Sequence, residues 1–296
     1  MIEGLKINDI YYPVNKLLDL SHQKIVDTET SLWERKIFKF IIDWFDDSDF
    51  IMQNTSGSTG EPKEILLSKS SMIESAKNTI EYFQLNENDT ALLCLPVEYI
   101  AGKMMIVRAM TGELNLLTIE PKGLPHIPDR IISFTAMVPL QLQNLIKQNV
   151  FIEMIDKILI GGAAVNSFLE KEINKLTTKV YLSYGMSETC SHIALRRLNG
   201  NNPENSFHVL KDIEIETDNS GCLKIKAPLL AAEEIITTDI VEILSPDCFK
   251  FLGRANNIIN SGGIKIVPEK LEDEIKEFIH GDYIISAIHD DLLGEK

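Results

Sequence analysis

Gln53-Asn54-Thr55-Ser56-Gly57-Ser58-Thr59-Gly60-Glu61-Pro62-Lys63 follows the apolar pair Ile51-Met52 and runs at once into Ile65-Leu66-Leu67. Gly57 and Gly60 permit backbone angles that other residues resist, so the amides of the stretch can turn inward as a concave nest for an anion. Thr55, Ser56, Ser58 and Thr59 add hydroxyl donors, and Lys63 adds a cation able to reach a phosphate. The spacing is not that of a Walker loop. Counting from Gly57, Pro62-Lys63-Glu64 stands where that loop needs Gly-Lys-Ser/Thr. A flexible polar linker has a similar composition. The embedded Pro62-Lys63 and the apolar run behind it favour phosphate binding instead.

Composition narrows the classes of function. With 296 residues, 44% apolar and 25% charged, the chain can bury a large core and hold more than one domain. A net charge of −15 with no Lys/Arg block argues against nucleic acid and against an anionic membrane surface. No apolar run approaches the length of a bilayer span, and Met1-Ile2-Glu3-Gly4 lacks a basic flank with an apolar core. A cytoplasmic protein without membrane insertion is therefore expected. Cys94, Cys190, Cys222 and Cys248 are widely spaced and read as reduced structural thiols, and the histidines form no ligand cluster for a structural metal.

Trp33, Ile37, Phe40, Ile41 and Trp44 recur at helical spacing and predict an amphipathic helix whose aromatics are core. A second helix is expected from about Ser71, with Ser71 and Glu74 as its capping box. Apolar runs at Ala91–Leu95, Leu114–Ile119, Ile131–Val138, Lys157–Ile160 and Val180–Ser183 read as strands, with helical patterns at Met104–Met110, Pro139–Lys147 and Ser167–Leu176 between several of them. Such alternation implies an α/β fold, a mainly parallel sheet covered by helices. From Ile213 the pattern changes to hairpins, a smaller β subdomain: Ile213–Glu216, then Cys222–Lys226, Ile235–Leu244 and Phe249–Leu252. Gly253 marks a boundary between a large domain, 1–253, and the start of a small α+β domain, 254–296. The latter is expected to hold a helix opened by Pro268 and a strand at Tyr283–Ile288.

Four separated segments together resemble the signature motifs of the adenylate-forming superfamily of acyl- and aryl-CoA ligases, luciferase-like enzymes and peptide-synthetase adenylation domains. They are Thr55–Lys63, Tyr184-Gly185-Met186-Ser187-Glu188-Thr189, Thr237-Thr238-Asp239, and Gly253-Arg254-Ala255-Asn256 with Ser261-Gly262-Gly263 and Pro268-Glu269. The resemblance implies a two-step reaction in which a carboxylate attacks the α-phosphate of MgATP and a thiol, usually that of coenzyme A, then takes the acyl group. It implies that the nest and Lys63 hold the departing pyrophosphate, that Glu188 helps hold Mg²⁺, and that Ser187 and Thr189 donate to phosphate oxygens. Asp239 is expected on the ribose hydroxyls, and Arg254 on ribose and phosphate. Tyr184 is expected to stack on adenine, and Gly161-Gly162-Ala163 to pass along adenine and acyl group. Asn256 occupies the hinge position about which the C-terminal domain of the family swings. Taken singly, Gly161-Gly162 is an ordinary strand-ending turn, Asp239 and Arg254 a surface pair, and Glu188 a solvated helix start; their joint order gives them meaning.

Leu95-Pro96-Val97-Glu98-Tyr99-Ile100-Ala101-Gly102-Lys103 resembles the acyl-pocket motif of CoA ligases, with Glu98-Tyr99 in place of its Phe-His pair. The short run before the nest and the segment Glu98–Arg108 are most similar to small o-succinylbenzoate–CoA ligases of menaquinone synthesis. The resemblance implies a pocket formed by Tyr99, Gly102, Lys103 and Arg108, with Lys103 or Arg108 meeting a second carboxylate. Another aryl or fatty acid, or a non-catalytic ATP-binding remnant, are the rival readings, and a homodimer is left open. The family's C-terminal Gly-Lys segment has no match in His289–Lys296, so a truncated chain that binds ATP but adenylates poorly is expected.

Overall fold

Neighbouring side chains of the central strands enter opposite cores, as in a sheet covered on both faces. The structure is a computed structural model that describes residues 2–54, 63–150, 152–231, 233–275, 278–279 and 283–296. The chain begins with a hairpin, β1 (Gly4–Ile7) and β2 (Ile10–Pro13), and two helices, α1 (Val14–Val26) and α2 (Leu32–Trp44). A second hairpin, β3 (Phe50–Asn54) and β4 (Glu64–Ser68), leads to α3 (Lys69–Phe83). Next come β5 (Thr90–Leu93), α4 (Ile100–Thr111), β6 (Asn115–Thr118), β7 (Ile132–Met137), α5 (Pro139–Lys147), β8 (Ile155–Ile160), α6 (Ser167–Ile173) and β9 (Lys179–Gly185). The antiparallel strands are β10 (His192–Arg197), β11 (Phe207–Val209), β12 (Glu214–Thr217), β13 (Cys222–Lys226), β14 (Ile235–Ser245) and β15 (Cys248–Arg254). After them lie β16 (Ile259–Ser261), β17 (Ile264–Ile266), α7 (Pro268–Ile275), β18 (His289–Asp290) and β19 (Gly294–Glu295).

One 13-stranded sheet runs in the order β12-β13-β14-β15-β11-β10-β9-β8-β7-β5-β6-β1-β2. It is parallel from β9 to β1 and antiparallel from β9 to β12. The β-rich region is thus an extension of the central sheet. Leu93, Phe134 and Leu159 enter one core, with Met72, Ala76 and the buried length of α4. Leu92, Ile132 and Ile158 enter the other, against Leu142, Leu145, Leu169 and Ile173 of α5 and α6. Each such side chain contributes about 1.5–3 kcal/mol by leaving water. Because β5 lies between β6 and β7, the strand order reverses there, and open α/β sheets bind ligands beyond the carboxyl ends of strands at such a reversal. Among the described residues no helix is long and apolar enough to cross a membrane.

Several boundaries differ from the sequence expectation for local reasons. The cap of α3 is Ser68, whose hydroxyl accepts from the Ser71 amide at 2.9 Å, while Glu74 pairs with Lys77. Asn166 caps α6, and the helix stops at Ile173 because the Asn199 amide takes the carbonyls of Ile173 and Leu176. Tyr283–Ile288 is not a strand. Its first residues bond to α7 instead, from the Tyr283 hydroxyl to the Glu272 carbonyl and from the Ile285 amide to the Glu272 carboxylate. Among the described residues of this segment only Ile288 exchanges backbone hydrogen bonds with a strand-like partner, Lys296. The last small sheet begins only at β18.

Gly102 permits a close approach in the first turn of α4. A Cβ there would lie 2.3 Å from the Pro96 carbonyl oxygen and 2.9 Å from the Val97 Cα, backbone that cannot step aside. Gly102→Ala is therefore expected to destabilise the chain by about 1–3 kcal/mol, read as a lower urea midpoint at unchanged slope. An unchanged midpoint would contradict this packing.

Candidate active site

The carboxyl ends of β5, β7, β8 and β9 share one rim of the sheet, and the loops that follow them carry Tyr99, Gly161–Ala163 and Met186–Thr189 of the expected residues. After β8, Gly161 abuts β9 so closely that a Cβ would sit 2.5 Å from the Ser183 hydroxyl, itself bonded to the Ile160 carbonyl at 2.8 Å. Gly162 has φ +82°, a left-handed turn that suits glycine, and Ala163 is exposed beside it. After β9, Met186 packs on the core and Ser187–Thr189 form one tight turn with Glu188 exposed on it. The buried Thr189 hydroxyl shares its one hydrogen between the Ser191 and Met186 carbonyls, 2.7 and 3.0 Å away, and accepts from the Met186 amide. It braces the turn that presents Glu188. Gly185 lets the chain double back, for a Cβ there would fall 2.3 Å from the Ser191 carbonyl.

β14 and β15 bring Asp239 and Arg254 to directly opposed positions. The Asp239 carboxylate accepts from the Tyr184 hydroxyl at 2.6 Å and pairs with Arg254 Nε at 3.2 Å. Tyr184 packs against the stacked pair Phe207 and Phe249, with ring centroids 5.7 and 5.1 Å away. Burial, and then the negative charge of Asp239, hold the Tyr184 phenol well above its ordinary pKa, so it stays protonated as the donor. Tyr184, Asp239 and Arg254, from separate motifs, thus form one connected group. Arg254 is half exposed, and Asn256 is exposed in the turn Ala255–Asn257 directly after it.

The phosphate-loop residues Thr55, Ser56, Gly57, Ser58, Thr59 and Gly60 lie outside the described residues; their flanks do not. Asn54 and Glu64 pair across the β3–β4 hairpin, and Lys63 is exposed next to Glu64. The hairpin is tied to the loop after β5. The Gln53 side-chain amide donates to the Glu98 carbonyl at 3.2 Å, and Lys103 Nζ donates to the Met52 carbonyl at 2.8 Å. Glu98 in turn pairs with Lys36 of α2. Tyr99 caps α4 and is exposed.

The two cations expected in the acid pocket part company. Lys103 holds the hairpin, with burial lowering its pKa. Arg108 is 1% exposed and has only neutral neighbours: Thr79 Oγ1 at 3.1 Å from Nε, Ser191 Oγ at 2.8 Å and His192 Nδ1 at 3.5 Å from Nη2, and Met105 Sδ at 3.9 Å from Nη1. Among the described residues no carboxylate lies within ion-pair distance of it. Burial pushes Arg108 down to about 9, so it remains a cation at neutral pH. Thr79, Ser191 and His192 escaped the sequence reading. Ser191 and His192 directly follow the second motif, but nothing in a linear pattern ties them to α3 and α4.

Among the described residues no trio of His, Cys, Asp or Glu is arranged for a metal. A lone exposed carboxylate, Glu188, fits a hard cation that takes most of its oxygens from phosphates and water.

Comparison with known proteins agrees with this architecture. The chain is 25% identical to the 2-succinylbenzoate–CoA ligase of Lactococcus lactis, over 93% of this chain and 66% of that one. It spans between half and two thirds of the length of the 2-succinylbenzoate–CoA ligases it matches, from 50% to 66%. An acyl-CoA synthetase (AMP-forming)/AMP-acid ligase II-like protein from Dyadobacter fermentans is 35% identical, with TM-score 0.73, over 92% of this chain and 81% of that one. The o-succinylbenzoate coenzyme A synthetase of Bacillus subtilis, solved with ATP and magnesium, shares the fold at TM-score 0.66 and 20% identity, over 82% of this chain and 58% of that one. The fold is that of the adenylate-forming enzymes, and with a family model matching residues 20–213 the chain belongs to the AMP-binding enzyme family.

Proposed function

We propose that this chain activates a carboxylic acid as its adenylate and passes the acyl group to coenzyme A, with o-succinylbenzoate as the acid. The observation that carries the reading is the gathering of Gly161–Gly162, the Tyr184–Thr189 turn, Asp239 and Arg254 at the carboxyl-end rim of the parallel strands. The acid oxygen attacks the α-phosphorus, the bond to the β-phosphate oxygen breaks, and pyrophosphate leaves. The thiol of coenzyme A then attacks the acyl carbon and AMP leaves. Asp239 accepts from the ribose hydroxyls, Arg254 neutralises phosphate, Tyr184 lies along adenine, and the Gly161–Ala163 backbone passes close to both groups. Thr55–Gly60 and Lys63 hold the β- and γ-phosphates. Glu188 holds Mg²⁺, which neutralises charge on the phosphates when bound. The small unit beginning at 254 reorients about Asn256 between the two steps.

Arg108 points to the acid. A buried guanidinium with no anionic neighbour among the described residues is costly, and a substrate bearing a second carboxylate supplies a partner. The names of the relatives point to the same acid. Calorimetric titration tests the reading: MgATP is expected to bind, and o-succinylbenzoate to bind more tightly when nucleotide is present. Glu188→Ala is expected to weaken MgATP by about tenfold, the scale of one lost charged contact, while leaving AMP unchanged. ATP binding with no response to any acid would favour a non-catalytic nucleotide module.

A further inference from the structure

The hydrogens of the Arg108 cluster can be assigned from the acceptors alone. Thr79 has a single hydroxyl hydrogen, and the Ser75 carbonyl at 3.0 Å receives it. The contact between Thr79 Oγ1 and His192 Nε2, at 3.3 Å, then needs its hydrogen from the ring, so Nε2 is protonated. Arg108 Nε also donates to that oxygen. With its hydrogen on Nε2, the neutral ring presents a lone pair at Nδ1. Ser191 Oγ lies 3.2 Å from that nitrogen and Arg108 Nη2 lies 3.5 Å from it. Ser191 Oγ accepts from Nη2 at 2.8 Å, so its own hydrogen is available to Nδ1. The ring stays neutral because burial and the adjacent guanidinium charge both drive its pKa far down. Thr79, Ser191 and His192 therefore fix Nε and Nη2 without supplying a negative charge. Among the described residues Nη1 meets only the Met105 thioether, a weak acceptor.

We propose that His192 is a specificity-determining positioning residue, which as a neutral acceptor locks the Arg108 guanidinium so that Nη1, held only by the weak thioether contact among the described residues, is the edge that takes the second carboxylate of an aromatic diacid. The proposal rests on the ligase reading above. His192 acts only through Arg108 and Ser191, so its contribution reaches acids that carry the distal carboxylate and no others. A carboxylate at position 192 would neutralise Arg108 and shut the site to the diacid; an apolar residue would release the guanidinium plane.

The test titrates the full chain, with AMP present, against o-succinylbenzoate and against its ester at the succinyl carboxylate, which keeps the shape and removes the charge. His192→Leu is expected to weaken the diacid by about tenfold or more and the ester by less than about twofold. His192→Asn, whose carbonyl oxygen can stand near the place of Nδ1, is expected to recover most of the loss. Equal weakening of both ligands, or no weakening of either, overturns the proposal. A readout on the unmodified chain guards against variants that fold poorly. In ¹⁵N-histidine spectra His192 is expected as the neutral, Nε2-protonated tautomer, with its Nδ1 signal moved by the diacid and not by the ester. A ring protonated at Nδ1 overturns the proposal equally. Failure of the unmodified chain to bind AMP would instead remove the ligase reading, so the two failures are distinguishable.

Discussion

Arg108→Met is expected to raise the thermal stability of the chain while erasing its response to a diacid. The guanidinium is 1% exposed, and no carboxylate among the described residues offsets its desolvation. Methionine fills a similar length of the helix–sheet interface without a charge. Its neighbours stay satisfied: Thr79 keeps the Ser75 carbonyl and His192, and Ser191 keeps His192. Removing buried charge in favour of apolar packing stabilises proteins by about 1–4 kcal/mol where such replacements have a favourable sign. The gain should depend on pH with a definite sign. Folded Arg108 loses its proton from about 9 while the unfolded residue keeps it to well above that, so the unfolded chain binds more protons in that window. Wild-type stability then rises relative to the variant above pH 9. The advantage of Arg108→Met is complete at neutral pH and shrinks as pH rises through that window. Calorimetric melting at pH 7 and pH 10 measures both effects. A lower melting temperature at pH 7 would mean that an anion already serves Arg108.

The alternation of buried strands with helices was readable because each strand is apolar on both faces, as Leu92 and Leu93 show by entering opposite cores. The convergence of Tyr184, Asp239 and Arg254 was readable only through motif order, since a strand and a hairpin some 55 residues apart in sequence carry them. Lys103 and Arg108 illustrate what a pattern leaves out. Both are cations on one helix, yet one turns toward the Met52 carbonyl and the other toward Ser191. Side-chain direction there is decided by which neighbour offers an acceptor, information held in β3, α3 and β10. Gly102 is similar: it stands in a pocket motif, while its geometry answers to the Pro96 backbone. The hairpin of β1 and β2 left no signal because β2 is almost wholly exposed, with Ile10 and Tyr11 side by side and no apolar alternation to mark it.

Asp239→Ala is expected to destabilise the chain and to abolish nucleotide binding, and a second substitution separates the two effects. Removal of the carboxylate takes the acceptor from the hydroxyl of Tyr184, which packs against the stacked pair Phe207 and Phe249, and among the described residues leaves it only the Thr237 side chain. The cost is about 1–3 kcal/mol for a poorly satisfied buried donor. Arg254 is half exposed and can turn to water, so it adds little. Tyr184→Phe alone removes the phenol and leaves Asp239 with Arg254 and a mostly solvent-shielded oxygen, a smaller loss. In the double variant no donor is stranded, so it is expected to be more stable than Asp239→Ala by itself. The cycle should give a coupling of about 1–2 kcal/mol, within the range for contacting residues. Nucleotide affinity should behave differently. It is expected to be absent in both variants lacking Asp239, whatever stability the double variant regains, because ribose has lost its acceptor. Tyr184→Phe is expected to retain AMP, since stacking needs the ring and not the hydroxyl, and to free one Asp239 oxygen for ribose. AMP binding recovered in the double variant would show that Asp239 serves the fold alone. Additive destabilisation would show that the phenol finds another partner once the carboxylate is gone.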